Sequence, residues 1–74
     1  GIIRSERERQ LHDALGRLKE EYREALYLVY FENMSYRDAG RIMNKSEQQV
    51  TKLVHRGKRG LKALLEEDGF IYAD

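Results

Sequence analysis

The side chains best suited to chemistry recur with one period. Gln48, Lys52, His55, Arg59 and Lys62 follow one another at steps of three and four, flanked by Gln49, Thr51, Arg56 and Lys58. On a helix this spacing stacks them along one face. Amide side chains pair with adenine edges, and Lys or Arg with guanine edges or phosphate oxygens. No acidic residue lies between Lys52 and Lys62, whereas an inert surface helix usually interleaves acids with its bases. Residues 35–62 carry eight basic side chains against Asp38 and Glu47, a net of +6 in a chain whose total is +1. Residues 1–34 are net −1 and residues 63–74 net −4. A positive block inside a nearly neutral chain implies a polyanionic partner. A helical hairpin with a solvated charged face is the competing reading.

Other chemistry finds little support. The chain has no cysteine, which excludes disulfides, thiolate metal sites and cysteine nucleophiles. His12 and His55 have no ligand-like spacing with each other or with a carboxylate motif, so no metal is expected. The acid runs Glu20-Glu21 and Glu66-Glu67-Asp68 suit solvated helix ends better than an acid/base pair. Gly57 and Gly60 fall inside a helical pattern rather than in a phosphate-cradling loop. The five tyrosines fit core and interface roles. A non-enzymatic protein without cofactor is the expectation. The longest apolar run, residues 25–31, is far too short to span a bilayer. With no basic-then-apolar leader at its start, the chain is expected to be cytoplasmic, with no membrane partner.

The elements that must carry this face are helical. At 74 residues and 8.8 kDa the chain has room for one small domain. The absence of proline and the presence of only 6 glycines argue against a turn-rich β fold. Ser5 with Glu8, Ser35 with Asp38, and Ser46 with Gln49 have capping-box spacing, which predicts helices opening at each serine. Met34 and Ala39 are placed for a hydrophobic staple at the second of these. Leu11, Leu15, Leu18, Tyr22, Leu26 and Val29 never break phase, so periodicity alone permits one helix over residues 6–32. Such a rod would be on the order of 40 Å long, and a break near Lys19-Glu20 suits a compact domain better. Ala39, Ile42 and Met43 mark a short third helix ended by Asn44, a residue that tolerates the left-handed conformation past a helix end.

The last helix is predicted to bury Val50, Leu53, Val54, Leu61, Leu64 and Leu65 and to end at Gly69, with Phe70 folding back onto its last turn. Gly57 falls on its apolar stripe and predicts close approach of another helix; the pattern offers no reason for Gly60. Residues 1–4 and 70–74 read as tails.

Residues 35–62 have the spacing of a helix-turn-helix. Ala39 and Gly40 are small where the second helix must cross, Asn44 makes the turn, and Val50 and Leu53 anchor the second helix. In this motif the second helix enters the major groove and the first lies across the backbone. Ser46 and the free N–H groups beside it could hold a phosphate.

The run Met34-Ser35-Tyr36-Arg37-Asp38-Ala39-Gly40-Arg41-Ile42-Met43, then Ser46 and Val50, then His55-Arg56-Gly57-Lys58-Arg59-Gly60-Leu61-Lys62, resembles region four of bacterial RNA polymerase sigma factors. Region four is their C-terminal DNA-binding domain, and the chain is most similar to the extracytoplasmic-function type. Residues 15–26 resemble the first half of that domain, where the family commonly has a proline-containing turn in place of Lys19-Glu20. The resemblance covers about residues 11–65, and the long basic last helix is its most specific part.

The resemblance implies an all-α, small four-helix domain with a C-terminal helix-turn-helix, winged-helix-like but without the wing, formed by residues 1–74 as one unit. It implies recognition of the promoter −35 element and docking on the β-subunit flap of RNA polymerase, in a nucleoid-associated protein, with an anti-sigma factor as a further candidate partner. Thr51, Lys52, His55 and Arg56 would then be the main major-groove contacts. Lys45, Ser46, Gln48, Gln49 and Arg59 would hold or flank the backbone, Arg37 would touch phosphate, and Lys58 would add to phosphate affinity. Asn44 stands where the family usually has glycine. Gly40 stands where it usually has alanine, a change expected only to loosen the helix. Nothing here matches the family's core-binding and promoter-melting domain, which implies a C-terminal part of a longer protein. The alternatives are the helix-turn-helix output domain of a response-regulator-type activator and a helical protein-interaction module.

Residues 25–31 are apolar on every side of their predicted helix. Tyr27, Tyr30 and Phe31 either complete the core or form a patch for the flap or an anti-sigma factor. Full burial of Tyr27 and Phe31 would end the second reading.

Overall fold

In a computed structural model, which describes residues 5–69, each of the three capping serines opens a helix. Ser5 Oγ accepts from Glu8 N at 3.2 Å, Ser35 Oγ from Asp38 N at 3.0 Å, and Ser46 Oγ from Gln49 N at 3.1 Å. At Ser46 the box is reciprocal, because Gln49 Oε1 accepts from Ser46 N at 2.8 Å. The helices are α1 (Glu6–Arg17), α2 (Glu20–Leu26), α3 (Tyr36–Met43) and α4 (Glu47–Glu67), and no strand occurs among the described residues. Both predicted tails, with Phe70, lie outside the described residues.

The break between the first two helices falls at Leu18 and Lys19, both extended, with ψ of 156° and 144°. No proline is needed there. Arg23 Nη1 reaches back from α2 to the Gly16 carbonyl at 3.2 Å, giving an orphan acceptor at the end of α1 a partner. The expected regular helix to Glu32 is not found. Tyr27–Phe31 forms a π-helical turn, closed by Glu32 N donating to Tyr27 O at 2.9 Å. It is followed by Asn33 in the left-handed region, φ 57°. Such wide turns are rare and favour functional sites.

All of this packs around α4. Leu15, Ala25, Leu26, Ala39, Val50, Leu53 and Val54 form the buried core. A methyl added at Gly57 would stand 3.2 Å from Leu26 Cδ1 and 3.4 Å from Tyr22 Cβ, so α2 crosses α4 at the predicted glycine. Gly60, unexplained from sequence, makes room for the corner between α1 and α2, since a methyl there would meet Leu18 Cδ2 at 3.2 Å. Two core expectations need correction. Leu61 and Leu64 are only half-buried. Ile42 is 58% exposed, because α3 turns Ala39, Gly40 and Met43 toward the core and Ile42 lies about 100° round from them.

The turn between α3 and α4 is tight. Asn44 adopts φ 59°, ψ 47°, as its place in the pattern predicts, and Lys45 N donates to Gly40 O at 2.8 Å. A methyl at Gly40 would lie 2.5 Å from the Lys45 carbonyl oxygen. The glycine therefore admits the turn rather than merely loosening the helix. At the far end Gly69 takes φ 74° and donates to Glu66 O at 3.1 Å, ending α4 where expected. Asp68 is tied to α1 by an ion pair with Arg17 and by Gln10 Nε2 donating to its carbonyl at 3.3 Å.

Candidate nucleic-acid interface

The buried side of α4 carries Val50, Leu53, Val54, Gly57 and Leu65. At about 100° per residue, Gln48, Lys52, His55, Arg59 and Lys62 occupy a strip roughly 80° wide on the opposite side. All five are exposed. Lys52, Arg56 and Arg59 fall within about 60° of one another, and among the described residues none has a carboxylate within ion-pair distance. Lys45, Gln49, Lys52 and Arg56 line one shallow groove of about 290 Å³. Arg37, Arg41, Lys45, Ser46 and Gln49 share a second, of about 460 Å³, around the helix-turn-helix turn. Arg41 was not among the predicted residues; its place one helical turn after Arg37 was the signal that could have found it.

Four predicted residues are already engaged. Ser46 and Gln49 are locked into each other by the capping box. Thr51 is half-buried, and its hydroxyl donates to the Glu47 carbonyl at 2.9 Å, so its proton is used within α4. Lys45 Nζ lies 3.8 Å from Glu21 Oε2, a carboxylate in the first turn of α2.

Lys58 stands apart. It projects about 80° from the middle of the strip, and its Nζ lies 4.8 Å from the centre of the Tyr30 ring. Hydrogen bonding to the Tyr30 side chain, and then its Coulombic attraction, hold the Lys58 pKa above its ordinary value.

Lys58 and Tyr30 also border a different surface. With Leu11, Leu15, Leu26, Phe31 and Leu61 they line a groove of about 240 Å³ between α1, the π-helical turn and α4. Tyr30 and Phe31 are 46% and 47% exposed. Tyr27 is half-buried and packs on Phe31, ring centres 4.8 Å apart and tilted by 38°. Neither Tyr27 nor Phe31 is enclosed, so the condition that would have ended the partner reading is not met. Among the described residues, no three His, Asp or Glu side chains are grouped to hold a metal. No helix there is long and apolar enough to cross a membrane.

Fold and face together define an all-α helix-turn-helix domain whose second helix is long and basic. The family model for sigma-70, region 4, matches residues 8–61, and the chain belongs to that family. It is 40% identical over 50 residues to the ECF RNA polymerase sigma factor SigM of Bacillus subtilis (strain 168), a match covering 68% of this chain. The chain spans only 31% of that relative's length. No solved structure matched the chain.

Proposed function

We propose that this domain is the DNA-reading end of a sigma factor, binding the promoter −35 element non-covalently to direct RNA polymerase to start sites. The observation that carries the reading is the strip of cations on α4, exposed on the side away from the core and, among the described residues, without a carboxylate in ion-pair distance. Family membership favours it over an activator output domain and over a general protein-interaction module. In this reading α4 enters the major groove. Lys52, His55, Arg56 and the Thr51 methyl face base edges. Arg37, Lys45, Gln48, Gln49, Ser46 and Arg59 hold the phosphates, with Arg41 added by its place in the turn groove. Lys58 belongs instead with Tyr27, Tyr30 and Phe31 at the apolar groove. That groove is the candidate seat for the polymerase β flap or an anti-sigma factor. Residues 1–74 act as one region-four unit, with the helix-turn-helix at about 35–62, and the setting is the cytoplasm and its nucleoid.

The test is selection from a pool of randomised 20-base-pair duplexes, followed by sequencing of the retained DNA. A short consensus should emerge, and the Lys52→Ala variant should relax one or two positions of it. Retention without any sequence enrichment would remove the promoter-reading role.

A further inference from the structure

Among the described residues, Lys45 is the one cation assigned above to DNA that has a carboxylate within ion-pair distance. Its Nζ lies 3.8 Å from Glu21 Oε2, and the lysine and glutamate side chains are 31% and 49% exposed. Lys45 also borders both shallow grooves that flank the start of α4, the place where a phosphate would meet the free N–H groups of the helix. The fold places the backbone of both residues, while the Glu21 side chain stays about half exposed. Its neighbour Tyr22 packs against Gly57 of α4, and Lys45 is fixed by its backbone bond to Gly40. The separation exceeds hydrogen-bond distance, so Glu21 does not orient the ammonium. It offers a competing negative charge.

We propose that Glu21 restrains DNA affinity by competing with a phosphate for Lys45, which makes it a determinant of binding strength on the α2 side of the interface. The proposal rests on the DNA-binding reading. A phosphate that takes Lys45 must displace the carboxylate or sit beside it, so one of the cationic contacts is partly neutralised before DNA arrives. The restraint acts on the backbone, not on bases, and so weakens binding to every sequence alike.

The experiment measures fluorescence anisotropy of a labelled 20-base-pair duplex of arbitrary sequence, from about 50 to 400 mM KCl, with the unaltered chain, Glu21→Gln, Lys45→Ala and the double variant. Glu21→Gln should tighten binding about two- to fivefold near 0.1 M salt and steepen the salt dependence, by at most about one counterion. The gain should vanish in the Lys45→Ala background. Unchanged or weaker binding by Glu21→Gln overturns the proposal, and so does an equal gain without Lys45, which would make Glu21 a general repulsive charge. Absence of salt-dependent binding by the unaltered chain is a different result: it removes the DNA reading itself, and this inference with it.

Discussion

Replacing Arg59 by glutamine tests whether the outer strip of α4 meets phosphate. Arg59 is exposed, near the middle of the strip, and has no carboxylate partner among the described residues. If Arg37, Lys45 and Arg59 on the phosphates, and Lys52 and Arg56 in the groove between them, each displace about one counterion, log affinity should fall against log salt with a slope of about −4.5. Between 50 and 200 mM salt that is a loss of about 500-fold. Each contact then contributes about eightfold at 0.1 M and almost nothing near 1 M, because its free energy is that of a released counterion. Arg59→Gln should therefore bind about eightfold more weakly at 0.1 M, with a slope near −3.6, and converge on the unaltered protein as salt rises. Anisotropy titrations over a range of KCl read both quantities, with His12→Ala as a control that should leave the slope unchanged. The reasoning is refuted by binding that ignores salt, by an Arg59→Gln loss equal at every salt concentration, or by the same loss in His12→Ala.

Four further outcomes follow from the packing and the two surfaces. Gly40→Ala, whose methyl would lie 2.5 Å from the Lys45 carbonyl oxygen, should destabilise the domain by about 1–3 kcal/mol; an unchanged melting temperature would mean the turn yields freely. Ser46→Ala removes the reciprocal cap of α4 and should cost about 1 kcal/mol in urea unfolding. Leu15→Ala empties a site 1% exposed and should cost about 2–5 kcal/mol, a large part of the roughly 4–11 kcal/mol available to a domain of this size; a loss below about 1 kcal/mol would show that α1 is not part of the core. Phe31→Ala should weaken capture of the polymerase β flap while leaving the salt slope for DNA intact, and a matching loss on DNA would merge the two surfaces into one.

Most of what places the cationic face was legible in the residues. Ser46 and Gln49 announced the start of α4, Asn44 its turn, and Gly57 the close approach of another helix. The bases from Lys52 to Lys62 announced the outward side. The middle of the chain was less legible. The series from Leu11 to Val29 keeps phase through the corner at Leu18 and Lys19, because two extended residues there leave both helices facing the same core. The π-helical turn at Tyr27–Phe31 has no period of its own.

The sequence alone determined the three serine-capped helix starts, the left-handed Asn44 and the side of α4 that carries charge. Each of these depends on groups three or four residues apart, whose geometry a helix dictates wherever it is placed. Only the tertiary structure decided that Gly60 makes room for Leu18, that Arg23 closes the end of α1, that Lys58 turns to Tyr30, and that Glu21 stands beside Lys45. The last two pairs join residues more than twenty positions apart. Such contacts depend on how helices dock, and docking is set by the shape of the whole core, which leaves no periodic trace along the chain.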